Sequence, residues 1–166
     1  MAKKKEKSLE TSSNISYSGE VKIKLLRGKK VISTTSVKNT GTYLMFAGMI
    51  SYLMRNPQSA YFPNFIGIGT DGTPSTSLDK YELGSEITNS RNVAYVHAAE
   101  KTATGYQFPL TAVFPASVTA GKNIQEIGLF SDSNTNTMLA RITAPIGIID
   151  PKLTLLVEWT LKVENK

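Results

Sequence analysis

The C-terminal stretch KLTLLVEWTLKVENK sets the strongest limit on what this chain can fold into. Positions 153, 155, 157, 159, 161 and 163 are Leu, Leu, Val, Trp, Leu and Val, six apolar residues at a spacing of two. A helix would scatter them around its circumference, whereas a strand gathers them on one face, so the spacing predicts a long strand with one face on a core. Composition agrees. Hydrophobic residues make up 40% and charged ones 19% of the 166, with Thr and Ser frequent, which suits a β-rich soluble protein better than a coiled coil or a disordered chain. That length suits one domain with a single core.

The same alternation recurs near the start. In GEVKIKLL, Val21, Ile23 and Leu25 oppose Glu20, Lys22 and Lys24, giving a strand with one wet face. Arg27-Gly28-Lys29-Lys30 reads as a turn, and VISTTSVKN (31–39) as the returning arm of a hairpin. Further strands are expected at RNVAYVHA (91–98), QFPLTAVFP (107–115), NIQEIGLFS (123–131) and TMLARITA (137–144), separated by turn residues including Gly121 and Asn123 and by the loop SDSNTNT (131–137). One helix is expected near residues 42–55. Thr40 or Thr42 would cap it, Asn56-Pro57 would stop it, and its apolar residues on more than one side would bury it across a sheet, with part of it open to packing on a neighbouring subunit. The expected fold is mainly β: an antiparallel β-sandwich or flattened barrel of about seven strands with one buried helix.

Residues 1–14 hold almost nothing to bury and are expected to form a flexible basic arm, leaving 15–166 as one β-sandwich domain. Residues 1–30 carry nine Lys/Arg against three Asp/Glu, a difference of six; residues 31–166 carry ten of each, so the first thirty residues supply the whole net charge of +6. Lys3, Lys4, Lys5 and Lys7 therefore mark a solvated or partner-docking arm, and any nucleic-acid contact falls to it rather than to the balanced body. The lysines are followed by no apolar run, so no secretory signal is expected. The apolar run at 43–54 is too short to span a bilayer, so no membrane insertion is expected.

The chemistry-bearing patterns are weak. FIGIGTDGTP (65–74) has the G-x-G-x-x-G spacing at Gly67, Gly69 and Gly72, but Pro74 follows two residues later and no helix pattern begins there, so the phosphate-binding context fails. The glycines are expected to let the backbone leave a sheet, turn, or approach another chain closely. A chain without cysteine has no disulfide, thiolate metal site or Cys nucleophile. The single histidine, His97, shares a strand face with Val93 and Tyr95 and is expected to be a buried or half-buried structural residue. No G-x-S-x-G element places a serine nucleophile. Asp71, Asp79, Glu82, Glu86 and Glu100 lie in predicted loops, where acids are usually solvated or paired; Arg91 is placed to close on Glu86 or Glu82. Glu126 and Arg141 each interrupt an apolar strand. They are expected to pair across neighbouring strands, or else Arg141 reaches an adjacent subunit. No catalytic, cofactor or metal residue is assigned; the candidate interaction residues are Lys3, Lys4, Lys5, Lys7, Asp71 and Arg141.

An ordered series of phrases resembles a known group. Asn39 with Gly41, a short helix, Gly67 with Gly69, Thr73-Pro74, Leu78 or Leu83 with Glu82 and Glu86, then Glu126 with Gly128-Leu129-Phe130, Ala140-Arg141 and Trp159-Thr160-Leu161 are similar to small structural, tail- or neck-associated virion proteins of tailed bacteriophages. The likeness covers about residues 33–164 and departs from the group in GIGTDGTP and in the basic N-terminal extension. It implies a non-enzymatic virion component, in the tail or neck, that assembles with copies of itself and with neighbouring virion proteins, without a cofactor. The alternative it leaves open is a capsid decoration or a host-surface adhesin in which loops 70–90 and 131–137 hold ligand.

Overall fold

The computed structural model describes residues 15–41, 45, 62–74, 81–133 and 138–165. Its strands are β1 Ile15–Arg27, β2 Lys30–Gly41, β3 Phe65–Gly69, β4 Asn92–Val93, β5 Tyr95–Val96, β6 Glu100–Lys101, β7 Gly105–Phe114, β8 Asn123–Phe130, β9 Met138–Ile148 and β10 Thr154–Asn165, with one helical turn at Ala116–Thr119. Seven of them have five or more residues; the other three are two-residue strands.

The ladders form two antiparallel layers. One layer is β2-β1-β10-β7, with β5 and β6 both on the far side of β7; the other is β4-β3-β8-β9. The two join on both sides. β2 pairs with β1 from Lys30 to Asn39 and then with β9 through Thr40 and Gly41, so it leaves one layer and enters the other. Opposite, β4 pairs with β3 and β5 with β7, so residues 92–96 make the same crossing in reverse. The result is a sandwich closed into a flattened barrel, a common way to limit open strand edges.

The C-terminal strand is the middle of this arrangement. β10 lies between β1 and β7 and turns Leu155, Val157, Trp159 and Leu161 inward, aligned with Val21 and Ile23 of β1 and with Leu110, Ala112 and Phe114 of β7. They meet Ile66, Ile68, Ile127, Leu129, Ala140 and Ile142 from the other layer. Each fully buried side chain of this size contributes about 1.5–3 kcal/mol, and the period of two puts them all on one face.

The β1–β2 turn needs its glycine. Gly28 has φ 60° at the first central position, as a two-residue hairpin turn beginning with glycine requires. Ile32 is an extra residue, since Leu25 aligns with Ser33 and Leu26 with Val31. A second irregularity lets β9 tolerate Pro145: the register shifts between Ile124 and Glu126, so the proline sits in a bulge instead of a regular ladder position.

Two expectations need correction. Residues 91–98 do not form one strand, because Ala94 is buried and its N–H donates to the Asn64 carbonyl (2.7 Å), which splits the run into β4 and β5. His97 is exposed, not buried; its ring meets Tyr95 edge-on at 4.7 Å and its Nε2 lies 3.2 Å from the Thr111 hydroxyl. The face it shares with Tyr95 is the outer one. Of the helix expected at 42–55 only Met45 is described, helical and buried against the core; the rest, the arm 1–14 and its four lysines lie outside the described residues.

Tyr17 is a partly buried phenol packed against the core. Burial pushes its phenol far above the ordinary range, and a hydrogen bond with Asn39 partly opposes the shift. A raised folded-state value means its stabilising contribution is present below the unfolded value, about 10, and is lost as pH rises beyond it. The stability of the protein is therefore expected to fall above about pH 10, and Tyr17→Phe should flatten that fall. Urea midpoints measured across this range check it, and identical slopes for the two proteins would contradict the assignment.

Candidate functional site

The glycine-rich segment resolves into two faces. Along β3, Ile66 and Ile68 point into the core, while Phe65, Gly67 and Gly69 point outward. The ladder sets Gly67 opposite Gly128 and Gly69 opposite Glu126, so the outer face of this layer is a nearly bare backbone platform. Residues 70–74 and 81–91 fold over it. A Cβ on Gly67 would come within 3.0–3.3 Å of the Phe130 ring, Arg91 and Glu86, and one on Gly128 would lie 2.7 Å from Phe130. Neither Gly67 nor Gly69 has a positive φ, so they are there for close approach and not for a turn.

Glu126 is the centre of this cover. It is wholly buried, and its Oε1 accepts the N–H groups of Ser85 (2.7 Å) and Asp71 (3.3 Å) while Oε2 accepts that of Gly84 (3.0 Å). Arg141, on the adjacent strand, donates to Oε2 from Nε (2.9 Å), and its Nη2 lies 2.8 Å from the same oxygen as an ion pair. Its remaining donors reach the carbonyls of Thr73 (3.0 Å) and Asp71 (3.3 Å), and the Asp71 carboxylate lies 3.8 Å away. A buried carboxylate is tolerable when its lone pairs and charge are all answered, and here one ion pair ties together two strands and two stretches of loop.

A second pair holds the other end of the segment. Arg91 donates from Nε and Nη2 to the two oxygens of Glu86 (2.7 and 2.8 Å) and from Nη1 to the Asp132 carbonyl (3.1 Å), with its guanidinium 3.8 Å above the Phe130 ring. Between the pairs, buried Ser90 exchanges hydrogen bonds with the backbone of Ile68 (3.0 and 3.2 Å). Leu83, Phe130 and Met138 form a small apolar cluster beneath, flanked by Phe65.

The structure thus brings Asp71 and Arg141 together, with Arg141 turned inward at 7% side-chain exposure and engaged within its own chain. The expected pairing of Glu126 with Arg141, and of Arg91 with Glu86, is observed. Sequence reasoning missed the capture of the Asp71, Gly84 and Ser85 amides by Glu126; the signal was a carboxylate in the apolar run IQEIGLF, which needs partners of its own. Asp79 lies outside the described residues. Beside the loop, Thr70, Ser85, Glu86, Asn89, Ser117 and Lys122 line an open groove of about 540 Å³. Among the described residues, no group of three or more Asp, Glu and His side chains is placed to hold a metal ion, and no helix is long and apolar enough to cross a membrane.

Gly69→Ala tests the platform. Its Cβ would lie 2.6 Å from the Ser85 carbonyl and closer still to Glu126 Oε1, so the strut would have to shift. We expect a loss of about 1–3 kcal/mol in urea unfolding, whereas a Ser33→Ala control on the exposed strand β2 should stay within about 0.5 kcal/mol. Equal, small effects at both sites would mean the loop is not held where described.

The fold and site together define a closed antiparallel sandwich whose main polar cluster anchors a surface segment. No family model, curated protein or solved structure matches the chain.

Proposed function

We propose that this protein is a non-enzymatic structural component of a tailed-bacteriophage virion, in the tail or neck, acting by symmetric assembly with its own copies and with neighbouring virion proteins. The observation that carries the reading is the use made of Glu126 and Arg141. Both belong to the phrases that resemble the virion group, and both are spent on bracing residues 71–73 and 84–85 against a glycine platform. Bracing a surface segment suits a part that must present the same surface in every copy of a repeating assembly. The Lys-rich stretch at 3–7 supplies charge for docking on an acidic neighbour.

The test is to purify the particles in which the chain is made, detect it by mass spectrometry, and locate it by cryo-electron microscopy. Density for repeated copies in the tail or neck supports the reading; absence of the chain from intact particles overturns it.

The open groove favours a second reading, a host-surface-binding module of the same particle. Its hydroxyl, amide and ammonium groups suit a polar ligand such as a glycan. Binding of the isolated protein on a glycan array, lost in Lys122→Ala, would select that reading.

A further inference from the structure

Charge is sorted between the two ends of the sandwich. At one end lie the β1–β2 turn, the connection into β8 and the turn before β10, which the ladders bring together: Leu26 aligns with Thr154, Phe114 with Leu155, and Gly121 donates to the Ile149 carbonyl at 2.9 Å. These turns carry Arg27, Lys29, Lys30, Lys122 and Lys152 against one acid, Asp150. Asp150 is itself occupied, accepting the Lys152 N–H at 2.7 Å and lying 3.9 Å from Arg27.

The opposite end is the reverse. There Asn165 donates to the Thr104 carbonyl (2.8 Å), Lys101 aligns with Tyr106, and Met138 donates to the Tyr81 carbonyl (3.0 Å), which gathers Glu82, Glu100, Asp132 and Glu164; among the described residues the cations at this end are Lys101 and Arg91, and Arg91 is bound to Glu86. Glu100 and Glu164 take hydrogen bonds from the neutral groups of Gln107 and Thr104, and neither forms an ion pair among the described residues. Each end also exposes apolar side chains: Val31, Ile32 and Ile148 at the basic end, Phe62 and Tyr106 at the acidic one.

We propose that the basic end of one copy docks on the acidic end of the next, so that the protein self-associates head to tail. Charge complementarity selects a second copy as the occupant, with apolar groups at the contact and opposite charges around it. A two-fold contact is disfavoured, because it would set like ends against each other; a heterologous contact uses two different surfaces and closes into a ring or continues as a stack. This deepens the assembly reading by naming the partner and both surfaces, but it can be measured apart from that reading. Absence of the chain from particles would leave the result below unchanged.

The experiment is sedimentation velocity on the full chain at low and high ionic strength. Wild type is expected to associate at low ionic strength and to dissociate as salt screens the ends. Lys29→Glu with Lys30→Glu, and separately Glu82→Lys with Glu100→Lys, should each weaken self-association by about tenfold or more. All four residues are exposed, and circular dichroism checks that both variants are folded. Mixing the two variants should restore association, since each retains the end that the other has reversed. A wild type that is monomeric at both ionic strengths, variants that associate like wild type, or a mixture that fails to recover would each overturn the proposal. Loss of association on deleting residues 2–14, with none on charge reversal, would assign the contact to the N-terminal segment and overturn it too.

Discussion

Arg141→Ala is expected to destabilise the protein by roughly 3–5 kcal/mol, because it leaves the carboxylate of Glu126 buried without its counter-charge. In a chain of this size that corresponds to a fall in Tm on the order of 10 °C. Glu126→Gln should cost a comparable amount, since it keeps the shape but strands the guanidinium. Replacing both by apolar groups often rescues a buried pair, yet here rescue should be partial. The amides of Asp71, Gly84 and Ser85 lose their acceptor in any variant without an oxygen at position 126, and each orphaned donor costs about 1–3 kcal/mol. A double-mutant cycle by urea unfolding measures the coupling, and amide exchange at Gly84 and Ser85 gives the local readout. If Arg141→Ala costs less than about 1 kcal/mol, the pair is not the strut described.

Trp159→Ala should cost about as much, roughly 3–5 kcal/mol, through the cavity it opens. Trp159 is fully buried on β10, aligned with Val21 on one side and Leu110 on the other, so β1 and β7 both lose contacts. Trp159→Phe separates packing from polarity. The indole N–H has no hydrogen-bond partner among the described residues, so the phenylalanine variant should recover most of the loss. A phenylalanine variant as unstable as the alanine one would mean that the indole N–H carries a bond of its own.

The parts of this fold legible in the sequence are those set within one strand or one turn. Six apolar residues at a spacing of two placed β10 on the core, Gly28 marked the hairpin turn, and Arg91 close to Glu86 in the chain marked their pairing. Alternation tells which residues share a face, but not which face will be covered. His97 shows the limit: it was correctly grouped with Tyr95, and the whole face proved to be the outer one.

FIGIG carries the same division. By itself the sequence assigned these glycines a backbone role, and the failed helix pattern after Pro74 removed the phosphate-loop reading. Only the tertiary structure decided what the glycines are for. The ladder set Gly67 beside Gly128 and Gly69 beside Glu126, residues about sixty positions apart, and residues 70–74 and 81–91 then closed over them. The gathering of Arg27, Lys122 and Lys152 at one end has the same origin. Local periodicity is a property of neighbouring side chains, whereas ladder register and loop cover depend on contacts between distant segments, which no short stretch of sequence contains.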